Sequence, residues 1–251
     1  LAELIKDYRI KTALSVVHIP YWTPLALELR ARYGWKVLYD CMDEWVDFPN
    51  IGDALIHQEK ILVRQSDLVA VTASLLYDKW SSVAQRCVLI RNAVDYVFFR
   101  EHCSPNHLLD DVSRPIIGYY GALAEWVDFE LLSFLAKNRP DWSFVLIGDV
   151  FVNNVAGLDK MRNVYMQGRQ PYTDMPRFLY HFDVCLIPFK LNNVTHAVDP
   201  VKFYEFISAV KPIISVPLEE LKIYSEYMYF ANQPEEFLQK IEIALMEVNP
   251  D

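Results

Sequence analysis

The sequence predicts an α/β protein made of two doubly wound halves, each with a parallel sheet. Three observations predict it. Short apolar runs alternate with longer amphipathic stretches along most of the 251 residues. The alternation stops over residues 101–114 and then restarts. Several glycine-containing turns fall directly behind apolar runs. Such βαβα order puts strands side by side in parallel with helices packed on the sheet.

The first half reads as strand 12–17, helix 24–33, strand 35–39, helix 54–66, strand 68–72, helix 75–85 and strand 87–90. Residues 101–114 lack periodicity and hold Pro105, Asn106, Asp110, Asp111 and Ser113. The domain boundary is expected there, dividing the chain into 1–108 and 109–251. The second half continues with strand 116–120, helix 128–137, and strands 143–147 and 164–166. Helix 174–180, strand 184–188, helix 201–209, strand 213–216 and helix 235–247 complete it. No sequence repeat is visible, yet the two halves repeat an architecture.

Composition narrows the function classes. With 53% hydrophobic residues the chain can bury a substantial core, which excludes disorder. A formal charge of −9 argues against a nucleic-acid surface. Cys41, Cys87, Cys103 and Cys185 form no C-x-x-C pair and read as free thiols, suiting a cytoplasmic location. No apolar run approaches the roughly 18 residues a membrane span needs.

The most informative stretch runs over 195–215, where Thr195, Asp199, Pro200, Lys202 and Glu205 lead into a helix ahead of Lys211-Pro212-Ile213-Ile214-Ser215. The first N–H groups of a helix lack intrahelical partners and carry partial positive charge, so Lys202 beside them would hold a diphosphate. Glu205, one turn on, would accept hydrogen bonds from ribose hydroxyls. The bland alternative is a solvated Lys–Glu pair.

Gly118-Tyr119-Tyr120-Gly121-Ala122 follows a strand and precedes a helix, the place of a phosphate-binding turn. Close packing or a positive φ would explain the same glycines. Gly148-Asp149 ends another strand, and structural turn is the favoured reading. Arg169, in Gly168-Arg169-Gln170-Pro171-Tyr172, would face either a phosphate or solvent. In the front half His18-Ile19-Pro20 closes the first strand, and Asp40, Asp43 and Glu44 crowd the end of the next. A shared carboxyl edge would bring His18 and Asp43 toward one crevice. There is no Walker loop, G-x-S-x-G, H-E-x-x-H or kinase set, and no metal-ligand spacing.

Together, His18-Ile19-Pro20, Tyr39-Asp40-Cys41-Met42-Asp43, Ser74, Arg91-Asn92-Ala93-Val94-Asp95 and the whole of 116–217 resemble glycosyltransferases of the GT-B type. Three segments carry most of this. They are Gly121-Ala122-Leu123-Ala124-Glu125-Trp126-Val127-Asp128, Arg139-Pro140-Asp141-Trp142-Ser143-Phe144-Val145-Leu146-Ile147-Gly148 and Asp199-Pro200-Val201-Lys202-Phe203-Tyr204-Glu205-Phe206. The chain is most similar to family-4-like bacterial enzymes of surface polysaccharide synthesis, including teichuronic acid glycosyltransferases.

That resemblance implies two Rossmann-like domains facing a cleft, with the opening strand and Gly-rich loop of the N-terminal domain missing from this sequence. It implies a metal-independent hexosyltransferase without cofactor, taking a UDP, GDP or dTDP sugar and a glycan or lipid-linked acceptor. Peripheral membrane association and a larger multidomain chain would fit as well. Carried over by position, Glu205 binds ribose, Lys202 and the turn at Gly121 and Ala122 lie near the diphosphate, and His18 lies near the donor sugar. Arg169, Thr195 and Asp199 complete the expected donor site. His18, Asp43 and Lys202 are the expected catalytic groups, with His18 or Asp43 as base if the enzyme inverts. The chain departs from the family at Ala197, where relatives carry a second glutamate, and at Val210 and Ala93, where they carry glycine. The rival readings are a non-catalytic scaffold of GT-B shape and a sugar-nucleotide epimerase.

Overall fold

The computed structural model describes residues 1–47 and 51–248. It is an α/β structure with two all-parallel sheets, as the alternation predicts. The chain forms two compact units, one of residues 1–91 with 196–199, the other of residues 92–195 with 200–251. Among the described residues no helix is long and apolar enough to cross a membrane.

The first unit runs α1 (Ala2–Asp7), β1 (Leu14–Val17), α2 (Thr23–Tyr33), β2 (Lys36–Cys41), α3 (Asp53–Gln65), β3 (Leu68–Val71), α4 (Ser74–Trp80) and β4 (Cys87–Leu89). Its strands lie in chain order, β1-β2-β3-β4. Val37, Tyr39, Cys41, Val69 and Val71 from the sheet pack with Leu62 and Val63 of α3 and Leu76 and Trp80 of α4. Ala197 joins this core at 3% exposure. A methyl group is at home there.

The second unit adds α5 (Tyr96–His102), β5 (Ile116–Tyr120), α6 (Phe129–Asn138), β6 (Ser143–Ile147), β7 (Val164–Gly168), α7 (Met175–His181) and β8 (Val184–Ile187). After these come a single-turn α8 (Asn193–His196), α9 (Val201–Ser208), β9 (Ile213–Ser215), β10 (Tyr229–Phe230) and α10 (Pro234–Val248). Its sheet order is β10-β9-β8-β5-β6-β7. Every residue of β5, β6 and β8 is buried, as expected of parallel strands covered on both faces. From β5 the chain moves outward to β6 and β7, whereas β8 lies on the other side of β5 and leads outward to β9. Connections therefore diverge between β5 and β8, and in open α/β sheets ligands bind beyond the carboxyl ends of the strands at such a point.

The sequence places the boundary at 108/109, but the compact units part at Arg91/Asn92. The reason is α5, which sequence periodicity misses because it spans only seven residues. Asp95 caps it by accepting from the Phe98 N–H at 3.0 Å, and Phe99 is fully buried. The helix packs against α7 and α9, so residues 92–108 belong to the second unit. The helix expected over 75–85 ends at Trp80.

Candidate functional site

A pocket of about 570 Å³ opens at the carboxyl ends of β5, β6 and β7, within the second unit. Gly121 and Ala122, Gly148 and Asp149, Arg169 and Gln170 form its loops, and Tyr172 and Met175 line it further round. Val201, Lys202 and Glu205, from the first turn and a half of α9, form another wall. The N-terminus of α9, where the helix dipole is positive, therefore belongs to the pocket.

The two glycines of the β5 turn divide the two readings between them. Gly118 lies flat against the Phe182 ring, where a Cβ would overlap ring carbons, so its role is packing. Gly121, at φ +132°, turns the backbone into the pocket beside the Lys202 Cε. Gly148, at φ +145°, packs on the Gly121 carbonyl so closely that no side chain fits. The Gly121 N–H donates to the Ile147 carbonyl at 2.9 Å and ties the two turns together.

Lys202 lies over the Phe189 and Tyr119 rings, its Nζ 4.8 and 5.5 Å from their centroids. Among the described residues no carboxylate pairs with it. Part of the side chain reaches the pocket, but its surroundings are mainly aromatic. Desolvation pushes its pKa down to about 8, with the Glu205 charge pulling the other way. An ammonium held in this way is short of a counter-anion. Glu205, 3% exposed, accepts from the Tyr172 hydroxyl at 2.7 Å through Oε1. Tyr172 is in turn steadied by the rings of Phe98 and Phe99, 6.4 and 5.8 Å away. The Tyr120 hydroxyl is buried beside the Glu205 carboxylate, and burial together with that charge pushes its pKa up.

Of the residues expected at a donor site, Gly121, Ala122, Arg169, Lys202 and Glu205 converge on this pocket. Arg169 is largely exposed and lies 3.7 Å from Asp149. Thr195 and Asp199 do not line it. The Thr195 hydroxyl donates to the Lys190 carbonyl at 2.6 Å and accepts from the Asn192 N–H at 3.0 Å, closing its own loop. Asp199 is buried within the 196–199 segment of the first unit. Tyr120, Gln170 and Tyr172 were not singled out as site residues by sequence. The Tyr172–Glu205 bond spans 33 positions, and no local pattern announces it.

In the first unit His18 follows β1 and its Nδ1 lies 3.0 Å from Asp40 on β2. The side chain that partners His18 is thus Asp40. Asp43 sits half-buried in the segment after β2, where burial raises its carboxyl pKa. Among the described residues no group of three or more His, Cys, Asp or Glu side chains is placed to hold a metal ion.

The fold is that of the GT-B glycosyltransferases. It matches HepE of Anabaena, solved with UDP and glucose, at a TM-score of 0.74 and 13% identity over 97% of this chain and 71% of that one. It also matches the catalytic domain of starch synthase IV from Arabidopsis thaliana, solved with ADP and acarbose, at a TM-score of 0.70 and 13% identity, covering 99% and 68%. In sequence the chain is similar to TuaH of Bacillus subtilis (strain 168), named as a teichuronic acid biosynthesis glycosyltransferase, at 23% identity over 221 residues. That similarity covers 80% of this chain but only 56% of the relative's length. No family model matches the chain.

Proposed function

We propose that this chain is part of a glycosyltransferase that moves a sugar from a nucleoside diphosphate donor to a glycan or lipid-linked acceptor in bacterial surface polysaccharide synthesis. One observation carries the reading. A buried carboxylate and an unpaired ammonium, one turn apart on α9, face the same pocket as a glycine turn that exposes backbone to a ligand. Glu205 would take ribose hydroxyls, and Lys202 with the α9 N-terminus would take the diphosphate. The names of the similar proteins support this assignment, since HepE was solved with UDP and starch synthase IV with ADP.

The chemistry asked of these groups is electrostatic. Breaking the bond between sugar and diphosphate leaves negative charge on the departing oxygen, which Lys202 and the helix N–H groups would stabilise as it develops. No metal is needed for that step, because the ammonium supplies the compensating charge. If the enzyme inverts, Asp43 or His18 would serve as base on the acceptor side, and the raised pKa of Asp43 favours proton uptake from a hydroxyl.

Calorimetric titration with UDP, GDP, ADP and dTDP tests the reading. Micromolar binding of one of them is expected, with loss in Lys202→Ala. Silence toward all four would overturn the donor-site assignment and favour the scaffold alternative.

A further inference from the structure

The first unit holds a second polar cluster that the proposed donor site does not use. Glu59 on α3 is 1% exposed, and a carboxylate so deeply placed costs several kcal/mol unless it is partnered. The Tyr39 hydroxyl donates to its Oε1 at 2.9 Å, and the Cys41 thiol lies 3.8 Å from the same oxygen. Lys79 on α4 places its Nζ 3.9 Å from Oε2, which has no hydrogen bond of its own.

Tyr39 and Lys79 also grip the segment 42–47, which follows β2 at the carboxyl edge of the sheet. Tyr39 Oη accepts from the Trp45 indole N–H at 3.0 Å. Lys79 pairs with the Glu44 carboxylate. The Cys41 thiol points at the Asp43 carbonyl at 3.7 Å. A further tether, from the Thr72 hydroxyl to the Met42 carbonyl at 3.1 Å, is independent of the cluster. Glu44 and Trp45, the two residues after Asp43, are thus held by groups whose other partner is Glu59, while the single proton of the Cys41 thiol is divided between Glu59 and the Asp43 carbonyl. The Asp43 carboxylate itself has no hydrogen bond or ion pair among the described residues.

We propose that Glu59 is the positioning residue of segment 42–47, holding Asp43 in place at the sheet edge through Tyr39 and Lys79, which grip its neighbours Trp45 and Glu44. The consequence for transfer rests on the reading of Asp43 as an acceptor-side group. Stability alone does not call for this cluster, because apolar side chains of similar volume often replace buried ion pairs without loss. Glu59 is instead the shared partner of every side chain in the cluster that reaches the segment.

Hydrogen exchange on the full chain tests the proposal without requiring activity. Glu59→Gln keeps the shape and an acceptor for Tyr39 but removes the charge facing Lys79. Tyr39→Phe cuts the link to Trp45 while leaving the charge. In each variant, amides of 43–47 are expected to exchange roughly ten- to a hundred-fold faster, as for loss of a hydrogen bond to a charged group, with α3 and β3 unchanged. UDP affinity should stay at the wild-type value, because the donor pocket lies in the other unit. In a transfer assay, kcat should fall while the donor KM holds. Unchanged exchange over 43–47 in both variants overturns the proposal, as does faster exchange spread evenly over the unit. A wild-type chain that binds no nucleotide would instead remove the functional reading and leave the exchange result in force.

Discussion

The carbonyl of Gly121 fills the space into which a side chain on Gly148 would project. The two turns, behind β5 and β6, are therefore built as one surface, with both residues at positive φ. Gly148→Ala must push the Gly121 turn into the pocket and strain its own backbone, costing about 1–3 kcal/mol by the usual scale for overpacking. UDP affinity should fall by at least about ten-fold, the equivalent of 1.4 kcal/mol. Calorimetry alongside a thermal melt checks this, and wild-type affinity in the variant would contradict the shared-surface account.

Lys202 gives the donor site a pH dependence. In the free protein its pKa is about 8, and a bound diphosphate raises it by supplying the missing counter-charge. Below pH 8 the lysine is charged before and after binding, so affinity is at its plateau. As pH rises above 8, binding must take up a proton and affinity falls. Titrations at pH 7 and 9, each in two buffers of different ionisation enthalpy, should show proton uptake only at the higher pH. Lys202→Met should abolish that uptake and weaken UDP far more than uridine.

Glu205→Ala should weaken both UDP and uridine by about 1.5–3 kcal/mol, the usual range for hydrogen bonds to a charged group. Tyr172→Phe keeps the carboxylate but frees Oε1, so its effect should have the same sign and be smaller. Equal losses in the two variants would mean that Tyr172 touches the ligand itself. Dissociation constants for the four combinations of variant and ligand decide.

Val210 lies at φ +54°, a conformation that costs a β-branched residue about 1–2 kcal/mol relative to glycine. It occupies the turn that ends α9, where the Lys211 N–H reaches the Phe206 carbonyl at 3.1 Å and the Val210 N–H reaches Ile207 at 3.0 Å. Glycine is the usual residue at that point of such a turn. Since Val210 is 87% exposed, Val210→Gly loses little packing and should stabilise the chain by about 1 kcal/mol in urea denaturation, after glycine's greater unfolded-state entropy is subtracted. A lower midpoint would show that the valine is not strained.

The α/β class and most strands are legible in the sequence, because buried parallel strands such as 116–120, 143–147 and 184–188 are largely apolar runs that need no partner to be recognised. So are Lys202 and Glu205 as a pair, since residues three apart on a helix share a face wherever that helix is placed. The short elements are not: α5 has too few residues to show a period, and its packing on α7 and α9 moves the unit boundary to Asn92. Which glycine packs and which one opens the pocket follows from the folded arrangement alone. The same arrangement decides that Tyr172 holds Glu205, that His18 pairs with Asp40, and that Glu59 gathers the tethers of segment 42–47. Each of these depends on residues brought together across the chain by sheet order and burial, and that proximity leaves no local periodicity to read.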